Sequence, residues 1–193
     1  MATVSPSRPP VFNLPNLLTA SRLVLGLFLF GLIHFEQWIA CILIFAAAAV
    51  TDWLDGYLAR KQGLTSTLGR NLDPLVDKVV ICGAFIFLLK TDQSGVVPWM
   101  VTVVVGRELI ITSLRSFLEN VGATFGADWL GKIKMVLQCA ALFAVFIDLQ
   151  ATAMGWETEV VHLLRDIFIY AMVVATALSG LQYLWRAWMM VRE

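Results

Sequence analysis

Four aspartates fall within one stretch of 26 residues, Asp52, Asp55, Asp73 and Asp77. Asp52 and Asp55 are spaced i, i+3, and Asp73 and Asp77 are spaced i, i+4. Either spacing puts both carboxylates on one face of a helix. Gly56 comes one turn after Asp52 and Gly69 one turn before Asp73, so Gly69, Asp73 and Asp77 form a stripe with a gap where the side chain is missing. Four carboxylates on facing helices repel strongly in a low dielectric. Two arrangements relieve that repulsion. Some carboxyls can keep their protons, as in a proton relay, or one or two divalent cations can neutralise the set. No cysteine or histidine accompanies the cluster, and an all-oxygen donor set favours a hard ion, Mg2+ or Mn2+. Two such ions about 3.5–4 Å apart suit phosphoryl chemistry, because they clamp the attacking and leaving oxygens.

A second group of residues is basic. Arg107 and Arg115 are eight apart and lie on nearly the same helix face. Lys132, Lys134 and Gln138 follow, with Lys134 and Gln138 again at i, i+4. Arginine grips phosphate through a rigid fork of donors, and lysine acts as a point charge. A basic pocket beside a metal site points to a phosphorylated acceptor. Snorkelling toward anionic headgroups explains Lys132 equally well.

These groups need elements to hold them, and the composition says which. Of 193 residues 59% are apolar and only 15% charged, and the net charge is zero. A soluble domain is nearer 45–50% apolar and about 25% charged. A cytosolic globule, a disordered chain and a nucleic-acid binder are thereby excluded. Three cysteines without close spacing propose neither a disulfide frame nor a zinc site. The apolar residues come in blocks long enough for a membrane. Six spans are predicted, at Leu17–Ile33, Trp38–Ala59, Leu72–Leu89, Val97–Leu118, Lys132–Ile147 and Val161–Ala187. Backbone amides in lipid must bond within the segment, so each reads as a helix. The expectation is an all-α integral membrane protein, one six-helix bundle over 1–193. Residues 1–16 form a tail leading into an interfacial stretch, Val11–Leu18, and residues 17–187 hold the six spans.

Six spans put both termini on one side. With that side inside, twelve of the fourteen Lys and Arg fall in or near the inner half, and only Lys90 and Arg165 at the outer ends. The excess of basic residues marks the cytosolic face. Both termini and the aspartates are therefore expected there. Trp38, Trp99, Trp156, Trp185 and Trp188, near span ends, read as an ordinary aromatic belt. A cation transporter or proton relay would also use intramembrane carboxylates. Such sites sit near the bilayer midplane, often between inverted repeats. Here the aspartates are at inner ends and no repeat is visible.

The run Asp52-Trp-Leu-Asp55-Gly56-Tyr-Leu-Ala59-Arg60, followed after eight residues by Gly69-Arg-Asn-Leu-Asp73-Pro-Leu-Val-Asp77, resembles the signature of the CDP-alcohol phosphotransferase family at all eight specified positions. That family has a six-helix membrane fold. The resemblance implies that Asp52, Asp55, Asp73 and Asp77 hold two divalent cations. It implies that Asp77 is also the base that deprotonates the attacking hydroxyl. Gly56 and Arg60 would contact the CDP part of the donor, Ala59 would permit close approach, and Ser66 and Gly69 would border the donor. A CDP-linked lipid stays in the bilayer while its soluble acceptor arrives from the cytosol.

Within the family, Asn13-Leu-Pro15-Asn16-Leu-Leu-Thr19-Ala-Ser-Arg22 resembles the opening of the phosphatidylglycerophosphate synthase branch. Arg107-Glu108, Leu114-Arg115 and Gly131-Lys132-Ile-Lys134 with Gln138 resemble it as well. This implies CDP-diacylglycerol as donor and sn-glycerol 3-phosphate as acceptor. Asn16 and Thr19 would border the nucleotide, and Arg107, Arg115, Lys132, Lys134 and Gln138 would hold the acceptor phosphate. Met135 departs from the branch, which commonly has Thr there. Inositol phosphate is the alternative acceptor. The sixth span holds nothing diagnostic and is expected to pack the bundle or the homodimer common in the family. The resemblance places the protein in a bacterial inner membrane.

Overall fold

A computed structural model describes residues 14–62, 67–120, 129–156 and 159–192, and within them the side chains of 20–51, 75–118, 129–156, 159–190 and 192. The described residues form six α-helices and one short 3-10 turn. The helices are α1 (Leu14–His34), α2 (Trp38–Gln62), α3 (Thr67–Leu88), α4 (Pro98–Asn120), α5 (Trp129–Ala153) and α6 (Glu159–Arg192), with the turn at Asp92–Ser94. Each covers one predicted span. α1 starts at Leu14, so from there on the stretch read as interfacial is the opening of α1. Pro15 is tolerated in that first turn, where its missing N–H has no helical partner to lose. Among the described residues, α5 and the Glu159–Met190 part of α6 are long and apolar enough to cross a membrane. α1 and α2 contain shorter apolar stretches, Ala20–His34 and Trp38–Thr51. α4 is more charged, carrying Arg107, Glu108 and Arg115.

The ends of the helices follow local rules. Pro98 takes the first position of α4, where its fixed φ suits the helix. α5 ends in a left-handed glycine, Gly155, with Trp156 N–H donating to the Ala151 carbonyl at 2.8 Å and Gly155 N–H to Thr152 at 3.0 Å. α1 ends the same way, with Gln37 N–H on the Leu32 carbonyl at 2.9 Å and Glu36 N–H on Ile33 at 3.1 Å. There the left-handed residue is Glu36, φ 57°. A Cβ makes that conformation costly.

Leu29, Ile33, Phe85, Leu88, Leu142, Val145 and Phe146 lie at the centre of the core. α1 packs on α2 and α3, α5 on α2 and α6, and α4 on α3 and α6. The α1–α3 contact is close because both helices contribute glycine to it. A Cβ at Gly26 would lie 2.5 Å from Val80 Cγ2, and one at Gly83 would strike the Phe30 ring. Small residues let helix backbones approach in this way. Phe30 also stacks on Phe87, with ring centroids 5.1 Å apart. α2 is fixed to α5 through Phe45, whose ring meets Phe143 at 4.8 Å and Phe146 at 6.1 Å. The helices carrying the aspartates are thus braced by α1 and α5.

Candidate active site

α2 ends and α3 begins at the same end of the bundle. Asp52 and Asp55 lie on the last turns of α2, and Asp73 and Asp77 on the first turns of α3. The side chains of Asp52, Asp55 and Asp73 lie outside the described residues. So do those of Asn16, Thr19, Gly56, Ala59, Arg60 and Gly69, whose backbones are helical, and Ser66 altogether. Asp77 is described. Its Oδ1 accepts a hydrogen bond from Arg22 Nη1 of α1 at 2.7 Å. The Arg22 side chain is 5% exposed and that of Asp77 27%. Arg22, Gly26 and Phe30 on α1 run alongside Asp77, Val80 and Gly83 on α3. The glycine-mediated approach of the two helices therefore sets the Arg22–Asp77 pairing, which ties down one carboxylate oxygen.

The basic group of the sequence comes together at this same end. Glu108 on α4 is only 5% exposed. Lys134 of α5, also buried, donates to Glu108 Oε1. Arg107 Nη1 reaches the two Glu108 oxygens at 3.3 and 3.4 Å. From α3, Lys78 donates to Thr112 Oγ1, and Lys78 lies within electrostatic reach of Glu108, Arg107 and Arg115. Arg115 Nη2 donates to the Tyr183 hydroxyl of α6 at 2.6 Å. Three cations, Lys78, Arg107 and Lys134, thus lie around one carboxylate, and a fourth, Arg115, lies within electrostatic reach of Lys78. Two buried donors, Arg107 Nε and Gln138 Nε2, make no hydrogen bond among the described residues. Buried donors without partners are costly. An excess of positive charge with donors to spare is an anion site.

Arg107, Arg115, Lys134 and Gln138 therefore converge. Lys132 does not join them, being exposed and without an ion pair among the described residues. Met135 is 38% exposed on the other side of α5. The sequence reading missed Arg22, Lys78, Glu108, Thr112 and Tyr183 as parts of the site. Glu108 was legible only as a neighbour of Arg107. A lysine directly after Asp77 was the one signal for Lys78. Nothing in an apolar run marked Tyr183.

The four-aspartate set fits divalent cations by its chemistry. Its donors are all carboxylate oxygens, two on each of two helices that end together. Asp77 retains acceptor capacity beyond the bond to Arg22, because a carboxylate offers about four lone-pair sites.

The chain is similar to known proteins over most of its length. The family model for CDP-alcohol phosphatidyltransferase matches residues 12–178. The CDP-diacylglycerol–glycerol-3-phosphate 3-phosphatidyltransferase of Bacillus subtilis is 32% identical over 194 residues, covering 92% of this chain and 96% of the relative. The protein of the same name from Pectobacterium atrosepticum is 35% identical over 180 residues, covering 90% and 93%. The crystal structure of Mycobacterium tuberculosis phosphatidylinositol phosphate synthase with CDP-DAG bound shares the fold, with a TM-score of 0.66 at 16% identity, over 92% of this chain and 88% of that one. With its eight-position aspartate signature, its all-helical fold and a family match across most of its length, the chain belongs to the CDP-alcohol phosphatidyltransferase family.

Proposed function

We propose that this protein transfers the phosphatidyl group of CDP-diacylglycerol to sn-glycerol 3-phosphate, giving phosphatidylglycerophosphate and CMP. The observation that carries the choice of acceptor is the cluster of four cations, three of them around Glu108 and Arg115 near Lys78, on the helices next to the aspartates. A neutral alcohol has no use for such a surplus, and a phosphorylated one does. The names of the relatives point the same way.

In this mechanism the acceptor phosphate is held by Arg107, Arg115, Lys134 and Gln138; Lys132, which the sequence reading included, lies exposed outside that group. Its free hydroxyl then faces the aspartates. Asp77 takes the hydroxyl proton as the oxygen attacks the lipid-side phosphorus in line. A new P–O bond forms, the bond from that phosphorus to the CMP phosphate breaks, and CMP leaves. Arg22 fixes the orientation of the Asp77 carboxylate. Asn16, Thr19, Gly56, Arg60, Ser66 and Gly69 border the donor. Asp52, Asp55, Asp73 and Asp77 would hold two divalent cations, Mg2+ or Mn2+, which when bound supply charge neutralisation for the pyrophosphate and the leaving CMP.

The same reading makes 1–193 one domain whose six helices all span the bilayer. It sets the site and both termini at the cytosolic face of a bacterial inner membrane, and makes the chain a homodimer. The bias of twelve basic residues to the inner half supports that orientation. The spacing of polar groups along α6 supports the span. Arg165 and Tyr183 are 18 residues apart with one charge, Asp166, between them. At about 1.5 Å per residue that is roughly 27 Å, close to the ~30 Å hydrocarbon core.

An acceptor panel tests the function. Purified protein with CDP-diacylglycerol and Mg2+ or Mn2+ should release CMP on addition of glycerol 3-phosphate. Release with inositol phosphate but not with glycerol 3-phosphate would overturn the acceptor.

A further inference from the structure

We infer that Tyr183, with Gly180 one turn before it, is the positioning residue that sets Arg107 and Arg115 as a two-pronged grip for the acceptor phosphate. The inference rests on the reading of those arginines as acceptor ligands. Arg107 and Arg115 stand on α4, two turns apart. Both side chains are long and lose rotamer freedom when they are held in one direction. Their like charges also push them apart. α4 by itself gives neither a fixed direction.

α6 supplies what α4 lacks. Tyr183 is 4% exposed, so its own position is fixed by packing. The Arg115 guanidinium carbon lies over its ring at 5.5 Å from the centroid, and that of Arg107 at 5.7 Å. Both distances are within the ~6 Å reach of a cation–π contact. The Tyr183 hydroxyl accepts from Arg115 Nη2 at 2.6 Å. One aromatic residue thus engages two cations through its electron-rich ring and one of them also through its oxygen. Gly180 completes the seat. A Cβ there would come to 3.2 Å of Arg107 Cγ, so the missing side chain is the room taken by the Arg107 stem. With its stem seated by Gly180 and its Nη1 turned to Glu108, Arg107 still holds its Nε without a partner among the described residues. That donor remains for an incoming oxyanion.

Tyr183 acts through Arg107 and Arg115, so its effect must appear in acceptor use. Steady-state kinetics on full-length protein in lipid nanodiscs, varying each substrate in turn, make the test. Tyr183→Leu removes ring and hydroxyl and should raise the KM for glycerol 3-phosphate about tenfold or more. Tyr183→Phe keeps the ring and should raise it about threefold to fivefold. The KM for CDP-diacylglycerol should stay within about twofold in both, and kcat should fall less than the acceptor KM rises. The isosteric Tyr183→Phe decides the matter if Tyr183→Leu does not accumulate. Arg107→Ala runs alongside. If it raises the acceptor KM while both Tyr183 variants keep the wild-type value, the seat is wrong and the acceptor reading stands. If Arg107→Ala instead weakens only donor use, the acceptor reading falls and takes the seat with it.

Discussion

The two ends of the bundle both bury a carboxylate among cations, yet they are built to different ends. At the end away from the aspartates, the outer end in the orientation proposed above, Asp148 of α5 is 1% exposed. Arg165 Nη1 of α6 donates to its Oδ2 at 2.6 Å, and His162 Nδ1 sits 2.8 Å from its Oδ1. Arg165 also donates to Asp166 at 2.9 Å and to the Gln93 carbonyl at 2.9 Å. Gly95 is left-handed, φ 71°, and a Cβ there would lie 2.9 Å from Arg165 Nε, so the loop before α4 closes over the arginine. Two acids meet one arginine and one histidine, and every arm of Arg165 is occupied. At the inner end Arg107, Lys134 and Lys78 lie around Glu108 with Arg115 close to Lys78, and two buried donors, Arg107 Nε and Gln138 Nε2, make no hydrogen bond among the described residues. Burial of charge therefore does not distinguish a site from a clamp. The balance of charge does, since buried polar atoms without a hydrogen bond among the described residues occur at both ends.

The sharpest break of this contrast is at the reacting carboxylate. Asp77→Asn should lower turnover by about 10²–10⁴-fold, the usual worth of a general base, while donor binding in a CDP-diacylglycerol titration survives. Full activity in that variant would remove Asp77 as the base. Glu108→Gln comes next. It leaves Lys134 and Arg107 buried against a neutral amide, a loss of about 3–5 kcal/mol by analogy with broken buried pairs. Inorganic phosphate should restore part of the lost thermal stability, because an anion binding the folded state fills the vacated role. No stabilisation by phosphate would argue against an anion pocket. Asp148→Asn strands Arg165 in the same way and should cost about 3 kcal/mol in thermal unfolding. Here phosphate should not rescue, and the KM for either substrate should stay at the wild-type value. A changed acceptor KM would mean that the outer clamp reaches the site. The smallest effect is at Glu36. Glu36→Gly relieves a left-handed non-glycine residue and should raise stability by about 1 kcal/mol with unchanged kinetics. A fall in melting temperature would show that the side chain, which is exposed, does more than cap α1.

The aspartates were legible because their chemistry is local. Two carboxylates one turn apart share a face on any helix, and the signature fits into 26 residues. The six helices were legible for the same reason, as apolar blocks of membrane length. What the sequence hid is what tertiary packing creates. Arg22 and Asp77 are 55 residues apart, and Arg115 and Tyr183 are 68 apart. Only the glycine approach of α1 to α3, and the crossing of α4 with α6, bring these pairs together. Tyr183 looked like any aromatic near a membrane surface, because its role depends on which cations lie over its ring. Arg107, Arg115 and Lys134 were found as cations, but nothing in their spacing revealed that Glu108 would gather two of them. Lys132 shows the converse limit, since two lysines two residues apart on a helix cannot face the same pocket.

α6 has 34 residues, so it is about 51 Å long, well beyond the hydrocarbon thickness. Its outer polar mark is Arg165 and its inner one Tyr183, and Trp185 and Trp188 beyond the latter are 67% and 65% exposed. If α6 spans as proposed, the helix would act as a gauge of the bilayer. In a thinner membrane the exposed tryptophans hold the inner mark at the headgroups and the mismatch falls on the outer clamp. In a thicker one Tyr183 and its two arginines are drawn toward the acyl region. Acceptor affinity should then fall with lengthening acyl chains in reconstituted bilayers, and an enzyme that makes lipid would be tuned by the lipid around it.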